Sequence, residues 1–276
     1  MKPALKAEFK KLLTVRSTYI LMLIFLLLSA FFSFYVHGFR DSQAQSLMLS
    51  GQSPKDAAGA ALFVSSSITQ IANVVALAGG LIALLLLAHE YRYNTIIYTL
   101  AASNRRSKVL AAKIISVLCL VFVYTVIAGA LSLALVWAGA AAAGHSLPAQ
   151  NISFITFFAK LVFYSEAYSM AGLLFITLIR NQVGAIAALL ILPNTVEGLL
   201  TLLLKKNSVY MPFTALSQVI QGPTIQGATP AHPARGDSTI GSLTPGKGAL
   251  VYLCYLVGVW IIAWYLFLRR DATKLD

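Results

Sequence analysis

The chain has 276 residues, of which 58% are hydrophobic and only 11% are charged. Soluble domains carry about 25% charged residues, so this composition excludes an ordinary soluble protein and indicates several membrane crossings. The net charge is +12, but the basic residues lie at the ends of apolar runs. That placement is typical of membrane topology and not of a nucleic-acid-binding surface, so we expect no nucleic-acid partner.

Residues 1–16 have the pattern of a basic amphipathic helix. Apolar residues recur at helical spacing at Ala4, Leu5, Phe9, Leu12 and Leu13. Lysines repeat on another face at Lys2, Lys6 and Lys10. Such a helix next to a membrane span tends to lie in the membrane interface. The alternative is a basic flank without fixed structure. We expect no cleaved signal peptide, because Glu8 lies in the leader and no small-residue cleavage site follows the first apolar run.

Six apolar runs approach or exceed the roughly 20 residues that a helix needs to cross a bilayer. They cover about 18–37, 66–88, 110–137, 155–179, 183–204 and 249–268. The runs are continuous and do not alternate, which favours helices over a barrel. The sequence therefore predicts an all-α polytopic membrane protein: one transmembrane domain over 1–276, with six transmembrane helices and an interfacial helix over 1–16. Cys119 and Cys254 lie within two of these runs, and we expect buried thiols and no disulfide.

The distribution of Lys and Arg predicts the orientation. The N-terminal segment, the 89–113 loop, Arg180 and the C-terminus together carry fourteen basic residues, whereas the loops on the other side carry six. The side with more basic residues is cytoplasmic, so both termini are expected there. We expect a multi-pass protein of the cell membrane, either the inner or the plasma membrane.

The first inside loop, residues 89–109, is too short for a domain but long enough for a brief helix. Ile96, Ile97 and Leu100 would share one apolar face of that helix. An exposed apolar patch at this position needs a partner. The patch could bind a separate protein or could lie on the lipid interface, and we favour the protein.

The extracytoplasmic loop over 206–247 contains five of the nine prolines. Its first part, VYMPFTALSQVI, is apolar enough for a short helix that dips into the outer leaflet. Its last part, GSLTPGKG, is similar to a phosphate-binding loop. Gly248 stands where that loop needs a hydroxyl, and no strand precedes it, so we reject a nucleotide site.

Catalysis and metal binding find no support in the sequence. His89-Glu90 begins like a zinc-protease motif, but position 93 is Tyr where the second His is required. The four histidines are scattered, and no nucleophile–base pair is evident. We expect no catalytic residues, no metal site and no cofactor in this chain.

Ionisable residues within the apolar runs are costly and need a reason. Glu166 lies halfway along the fourth run between Tyr164 and Tyr168, and Glu197 follows Pro193 in the fifth run. These two carboxyl groups and the two tyrosines are candidates for a substrate path. The alternative is a structural role within the helix bundle. For Glu166 the sequence favours neither interpretation, whereas for Glu197 it favours the structural one, because Pro193 predicts a break in the helix there.

Several of these stretches together resemble the six-span type-2 permease subunits of ABC transporters, most of which are exporters. The first group is Gly79-Gly80, Glu90-Tyr91-Arg92-Tyr93, Thr95, Thr99-Leu100, Arg105 or Arg106, and Lys113. The second group is the N-terminal basic helix, Arg180-Asn181 with Gly184-Ala185-Ile186, Tyr210-Met211-Pro212-Phe213, and Arg269-Arg270-Asp271. The resemblance covers the whole length, although Asn94 stands where the family usually has Gly.

The resemblance implies a mechanism and partners. Two permeases, identical or homologous, would pair in the bilayer, and each would dock a cytoplasmic ATP-binding-cassette subunit that binds ATP and Mg²⁺. The first inside loop would carry the ATPase contact, through Glu90, Arg92, Thr95, Ile96, Ile97, Leu100, Arg105 and Arg106. The N-terminal helix would be the family's elbow helix. We therefore expect export of an amphiphilic or hydrophobic substrate. The alternatives are an ion-coupled secondary transporter, for which Glu166 would be the ion site, and a membrane scaffold that transports nothing.

Overall fold

Within the described part of the chain, six helices are long and apolar enough to cross a membrane, as the sequence predicts. The computed structural model describes residues 2–14, 16–40, 57–93, 95, 106–144, 153–221 and 243–269, and this described part contains helices and no strand. The six candidate spans, numbered first to sixth below, cover Thr18–Arg40, Thr69–Arg92, Ser107–Ala142, Phe154–Ile179, Gln182–Tyr210 and Pro245–Leu268. We call the end of the bundle at which residues 2–14 and Arg92 lie the inner end, following the predicted orientation.

The second span lies at the centre of the bundle. Its helix runs over Ala57–Arg92, and 67% of its most apolar 18-residue stretch is buried within the bundle. The same fraction is 11% for the first and for the fifth span. Its most extensive packing is against the fourth span, Phe154–Ile179, and the third-span helix, Arg106–Ala142, packs against both. The described residues therefore leave most of the apolar surface of the first and fifth spans uncovered.

Small residues bring the second and fourth spans into backbone contact. A Cβ atom added to Gly172 would collide with the carbonyl oxygen of Gly80, and one added to Gly80 would lie 3.1 Å from the carbonyl oxygen of Tyr168. Near this contact, Ser165 and Thr125 share a hydrogen bond of 2.7 Å. In a bilayer, where apolar burial drives helices together only weakly, such close approach and hydroxyl hydrogen bonds stabilise helix pairs.

The N-terminal helix covers Lys2–Thr14, and the first-span helix follows from Arg16 to Phe31. From Phe32 to Arg40 the first span continues with wider, π-helical turns. Gly38 in this segment lies against Gly139 of the third span, where neither backbone leaves room for a Cβ. The helix at the N-terminus agrees with the sequence pattern, whereas its place in the membrane interface and the orientation of the termini stay predictions.

The fourth and fifth spans join through a tight turn. Arg180 ends the fourth-span helix in the left-handed conformation, with φ of 56°, and its N–H bonds to Ile176 O. The Asn181 side chain then accepts a hydrogen bond of 3.0 Å from Gly184 N and caps the fifth span. Two residues therefore suffice to reverse the chain.

The fifth span is interrupted, and the break that Pro193 predicts is present. Regular helix over Gln182–Ile191 gives way to a wider turn over Leu192–Val196, and helix resumes over Glu197–Leu204. Proline lacks the N–H that a regular helix would use there. A 3₁₀ turn over Lys205–Tyr210 follows.

The outer helix, Pro212–Gln221, is the short helix predicted after the fifth span. It returns into the bundle and packs against the fourth and sixth spans, so Ala215 and Leu216 are fully buried. The sixth-span helix covers Pro245–Arg269, and Gly248 in its first turn lies directly against Ala215 O. The glycine of the rejected phosphate-loop motif thus makes room for the outer helix.

The prediction of buried thiols is wrong. Cys119 and Cys254 both lie on exposed faces of their helices. A cysteine side chain is apolar enough to face lipid, so its position in an apolar run does not place it inside the bundle.

Candidate functional site

Four charged side chains form a cluster at the inner end, which we call the inner charge cluster. Lys113 Nζ lies 2.9 Å from Glu8 Oε1 and 2.5 Å from Glu90 Oε2. Lys11 Nζ lies 2.6 Å from Glu90 Oε1. The Lys113 side chain is only 3% exposed and the two carboxylates are 9% exposed. Positive and negative groups alternate through the cluster, so each buried charge has an opposite neighbour.

Three different elements supply this cluster. Glu8 and Lys11 are three residues apart in the N-terminal helix and therefore lie on one face of it. Glu90 lies in the last turn of the second-span helix, and Lys113 lies two turns into the third-span helix. A charge in such a place is tolerated only with opposite charges beside it, and losing one partner of a buried pair costs about 3–5 kcal/mol. The cluster thus holds the N-terminal helix against both ends of the first inside loop.

The structure describes only some of the other residues that the sequence predicts for the ATPase contact. Arg92 is exposed at the end of the second span, with its guanidinium 5.7 Å from the Tyr93 ring centre. Thr95 is half-buried. Arg106 begins the third-span helix. Four predicted residues lie outside the described part of the chain: Ile96, Ile97, Leu100 and Arg105, together with the family departure at Asn94.

Towards the end of the bundle opposite the inner end, four aromatic rings lie side by side, each in contact with the next. We call them the aromatic row. The rings of Tyr164 and Tyr168 lie 5.3 Å apart, those of Tyr168 and Phe213 5.4 Å, and those of Phe213 and Tyr252 6.1 Å. Tyr164 Oη donates a hydrogen bond of 2.8 Å to Asn73 Oδ1, and Tyr252 Oη donates one of 2.6 Å to Ala167 O. The row crosses from the fourth span through the outer helix to the sixth span.

Glu197 caps the start of the outer helix. One of its oxygens accepts a hydrogen bond of 2.9 Å from Phe213 N. The other accepts bonds of 2.7 Å from Thr214 N and 2.8 Å from Thr214 Oγ1. The group is 5% exposed. A carboxylate is favourable at a helix N-terminus, where backbone N–H groups lack partners. These contacts occupy both oxygens and favour a structural role over a place in a substrate path.

Glu166 has different surroundings. Both of its carboxyl oxygens are enclosed, and neither has a hydrogen-bond partner among the described residues. It is two residues from both Tyr164 and Tyr168, which places it on another side of the fourth-span helix. The structure therefore brings Tyr168 and Glu197 to Phe213 and places Tyr164 next to Tyr168, whereas Glu166 lies on another side of the helix.

A sequence model of the family described as ABC-2 family transporter protein matches residues 3–272. The chain belongs to this family. Comparison with curated proteins gives no match.

Membership in the ABC-2 transporter family, with six apolar helices, makes this chain a multi-pass membrane protein and the permease component of an ABC transporter. Such permeases are membrane subunits that work with an ATP-binding-cassette subunit. The expectation that this chain lacks enzymatic activity agrees with that role and stays an expectation.

Some residues of this ABC-2 permease site could not be found from the sequence. Glu8 is the only acidic residue in the N-terminal helix, and Lys113 lies inside the third apolar run; both are unusual enough to serve as signals. Phe213 is marked in the sequence only as part of the resembling stretch Tyr210-Met211-Pro212-Phe213. Tyr252 and Asn73 give no signal, because aromatic and amide residues are common near membrane interfaces.

Proposed function

We propose that this permease exports an amphiphilic or hydrophobic substrate and that its ATP-binding subunit docks on the first inside loop. The observation that carries the proposal is the inner charge cluster, which fixes both ends of that loop against the N-terminal helix. A loop that receives force from a partner needs firmly held ends, because slack ends would absorb the movement. The chain itself offers no nucleotide-binding motif, so ATP and Mg²⁺ would be bound by the partner.

The docking surface is the apolar face of residues 96–100. Ile96, Ile97 and Leu100 share that face in the sequence pattern. Glu90 and Arg92 precede it, and Arg105 and Arg106 follow it, so charged groups would surround an apolar centre. Interfaces between proteins commonly have this arrangement.

A second permease copy or homologue would complete the transporter. The first and fifth spans have the least buried surface in this chain. Leu199, Leu202 and Leu203 of the fifth span are 60–78% exposed. Their apolar side chains can face lipid, but a substrate path between two permeases requires some spans to pair. The aromatic row and Glu166 are the groups that we propose line or border this path.

Replacement of Leu100 or Ile97 by Asp tests the docking surface. We expect either variant to lose co-purification of the ATP-binding subunit, because a charge in the apolar centre of an interface is desolvated without a partner. The amount of permease in the membrane fraction should not change. Ser103→Asp adds the same charge outside the predicted apolar face and should retain the subunit. Normal co-purification with both Leu100→Asp and Ile97→Asp would disprove docking at this surface.

An ion-coupled transporter is the second candidate. The observation that favours it is the Glu166 carboxyl group, which has no hydrogen-bond partner among the described residues. The purified chain alone, reconstituted in liposomes, would then move substrate down an imposed proton or sodium gradient without ATP. Glu166→Gln would abolish that flux. We expect no such flux and a strict requirement for the ATP-binding subunit.

A further inference from the structure

The N-terminal helix is attached to the bundle by charge as well as by apolar contact. Leu12 packs against the hydrophobic core, and the helix lies along the third span. Glu8 is buried and its carboxylate contacts Lys113, while Lys11 contacts Glu90. Lys6 and Lys10, by contrast, are exposed. The basic residues of this helix therefore have two separate environments, and only one is explained by topology.

Lys113 is the central group of the attachment. Its ammonium lies between carboxylates that come from two elements, Glu8 of the N-terminal helix and Glu90 of the second span. Removal of Lys113 would take the cation away from the nearly buried Glu8 carboxylate and would leave Glu90 with Lys11 alone. A buried carboxylate without its cation is unfavourable. Of the three elements, the N-terminal helix is the one that can move away from the bundle without breaking a span.

We infer that the inner charge cluster makes the N-terminal helix part of the moving unit that responds to the ATPase, with Lys113 as the positioning residue. This inference rests on the proposed docking of the ATPase at the first inside loop. Glu90 and Lys113 flank that loop at its two ends, so a displacement of the loop displaces both. Because each of them also contacts the N-terminal helix, the helix follows the loop. An apolar contact alone would allow the helix to slide, whereas two short ion pairs, Glu8–Lys113 and Lys11–Glu90, fix its register.

The first experiment measures amide hydrogen exchange of the permease in nanodiscs, without the ATPase. Lys113→Met should make exchange in residues 2–14 faster by about tenfold or more, because loss of a buried ion pair favours local opening of that helix. Exchange in the second and fourth spans should not change. Lys10→Met removes the same charge from the exposed face of the N-terminal helix and should leave its exchange as in the parent protein. Lys113→Arg, which retains the charge, should restore most of the protection.

The second experiment adds the ATP-binding subunit and compares exchange with and without ATP plus vanadate. In the parent complex, we expect nucleotide to change protection both at the ends of the loop and in residues 2–14. In Lys113→Met, the change at the loop ends should persist while the change in residues 2–14 disappears. Glu8→Gln is a milder variant that keeps the Lys113–Glu90 pair, and it should show a partial loss if Lys113→Met does not fold.

The outcomes separate this inference from the docking proposal. Unchanged protection of residues 2–14 in both Lys113→Met and Glu8→Gln would overturn the inference, whatever the ATPase does. A nucleotide response in residues 2–14 that survives Lys113→Met would also overturn it. Failure of the parent permease to bind an ATPase would instead disprove the docking proposal, and the first experiment would still decide whether the cluster holds the helix.

Discussion

Glu197 and Glu166 show how two carboxyl groups in neighbouring apolar runs come to differ. The wide turn after Pro193 precedes Glu197, whose side chain meets the first N–H groups of the outer helix. Glu166 lies in an uninterrupted helix, where every nearby backbone N–H is already bonded within the helix. A carboxylate that meets free N–H groups has a structural use, whereas one enclosed among closed backbone bonds is a candidate for function.

Replacement of Glu197 by Gln should loosen the outer helix. The amide keeps only one acceptor oxygen where the carboxylate accepts three hydrogen bonds, and it places an NH₂ group against backbone N–H donors. We expect a loss of about 1–3 kcal/mol in the local stability of residues 212–221, measured by hydrogen exchange in detergent. Glu166→Gln makes the same chemical change in a site without hydrogen-bond partners among the described residues, and it should leave residues 212–221 unaffected. Equal effects of the two substitutions would refute the capping role.

At the scale of helices, the contact between the second and fourth spans holds the bundle together. Gly80 and Gly172 allow the two backbones to touch, and Ser165 binds Thr125 of the third span nearby. The aromatic row and the outer helix are attached to these same spans. The spacing between the second and fourth spans therefore sets the positions of Tyr164, Tyr168 and Phe213.

A methyl group at position 172 should separate these two helices. Gly172→Ala places a Cβ against Gly80 O, where no flexible side chain can yield. Overpacking of this kind costs about 1–3 kcal/mol. Gly258→Ala is the matched control, because no atom lies within 4 Å of a Cβ at that position. We expect the thermal midpoint of the detergent-solubilised protein to fall with Gly172→Ala and to stay level or rise with Gly258→Ala. A midpoint that falls equally in both variants would contradict this account of the contact.

At the scale of the whole molecule, the fold separates two regions along the membrane normal. The inner charge cluster connects the N-terminal helix to the first inside loop, and the outer helix with its Glu197 cap lies towards the opposite end. The second and fourth spans connect the two regions. Such an arrangement suits a protein in which force applied at one end must change the packing at the other.

The orientation of the molecule can be tested with one pair of substitutions. In a variant whose Cys119 and Cys254 are replaced by Ala, Lys108→Cys and Lys206→Cys each convert an exposed lysine near opposite ends of the bundle. A membrane-impermeant maleimide should label position 206 in intact cells, because the side richer in Lys and Arg is retained in the cytoplasm. Position 108 should be labelled only after permeabilisation. The reverse pattern would invert the topology and would place the proposed docking loop outside the cell.

Composition and local spacing are enough to predict six spans, a helical N-terminus, a break at Pro193 and a short helix from Pro212. The motifs taken together indicate the same family that matches residues 3–272. These features depend on residues close together in the chain. The pairing of Lys113 with Glu8, 105 residues away, and of Glu197 with the outer helix was decided only by the tertiary structure. A side chain's partner across the bundle depends on the rotation and depth of each helix, and these follow from contacts such as Gly80 against Gly172. Apolar runs that face lipid and apolar runs that face protein have the same composition. For this reason the sequence predicts buried thiols, although Cys119 and Cys254 lie on exposed faces of their helices.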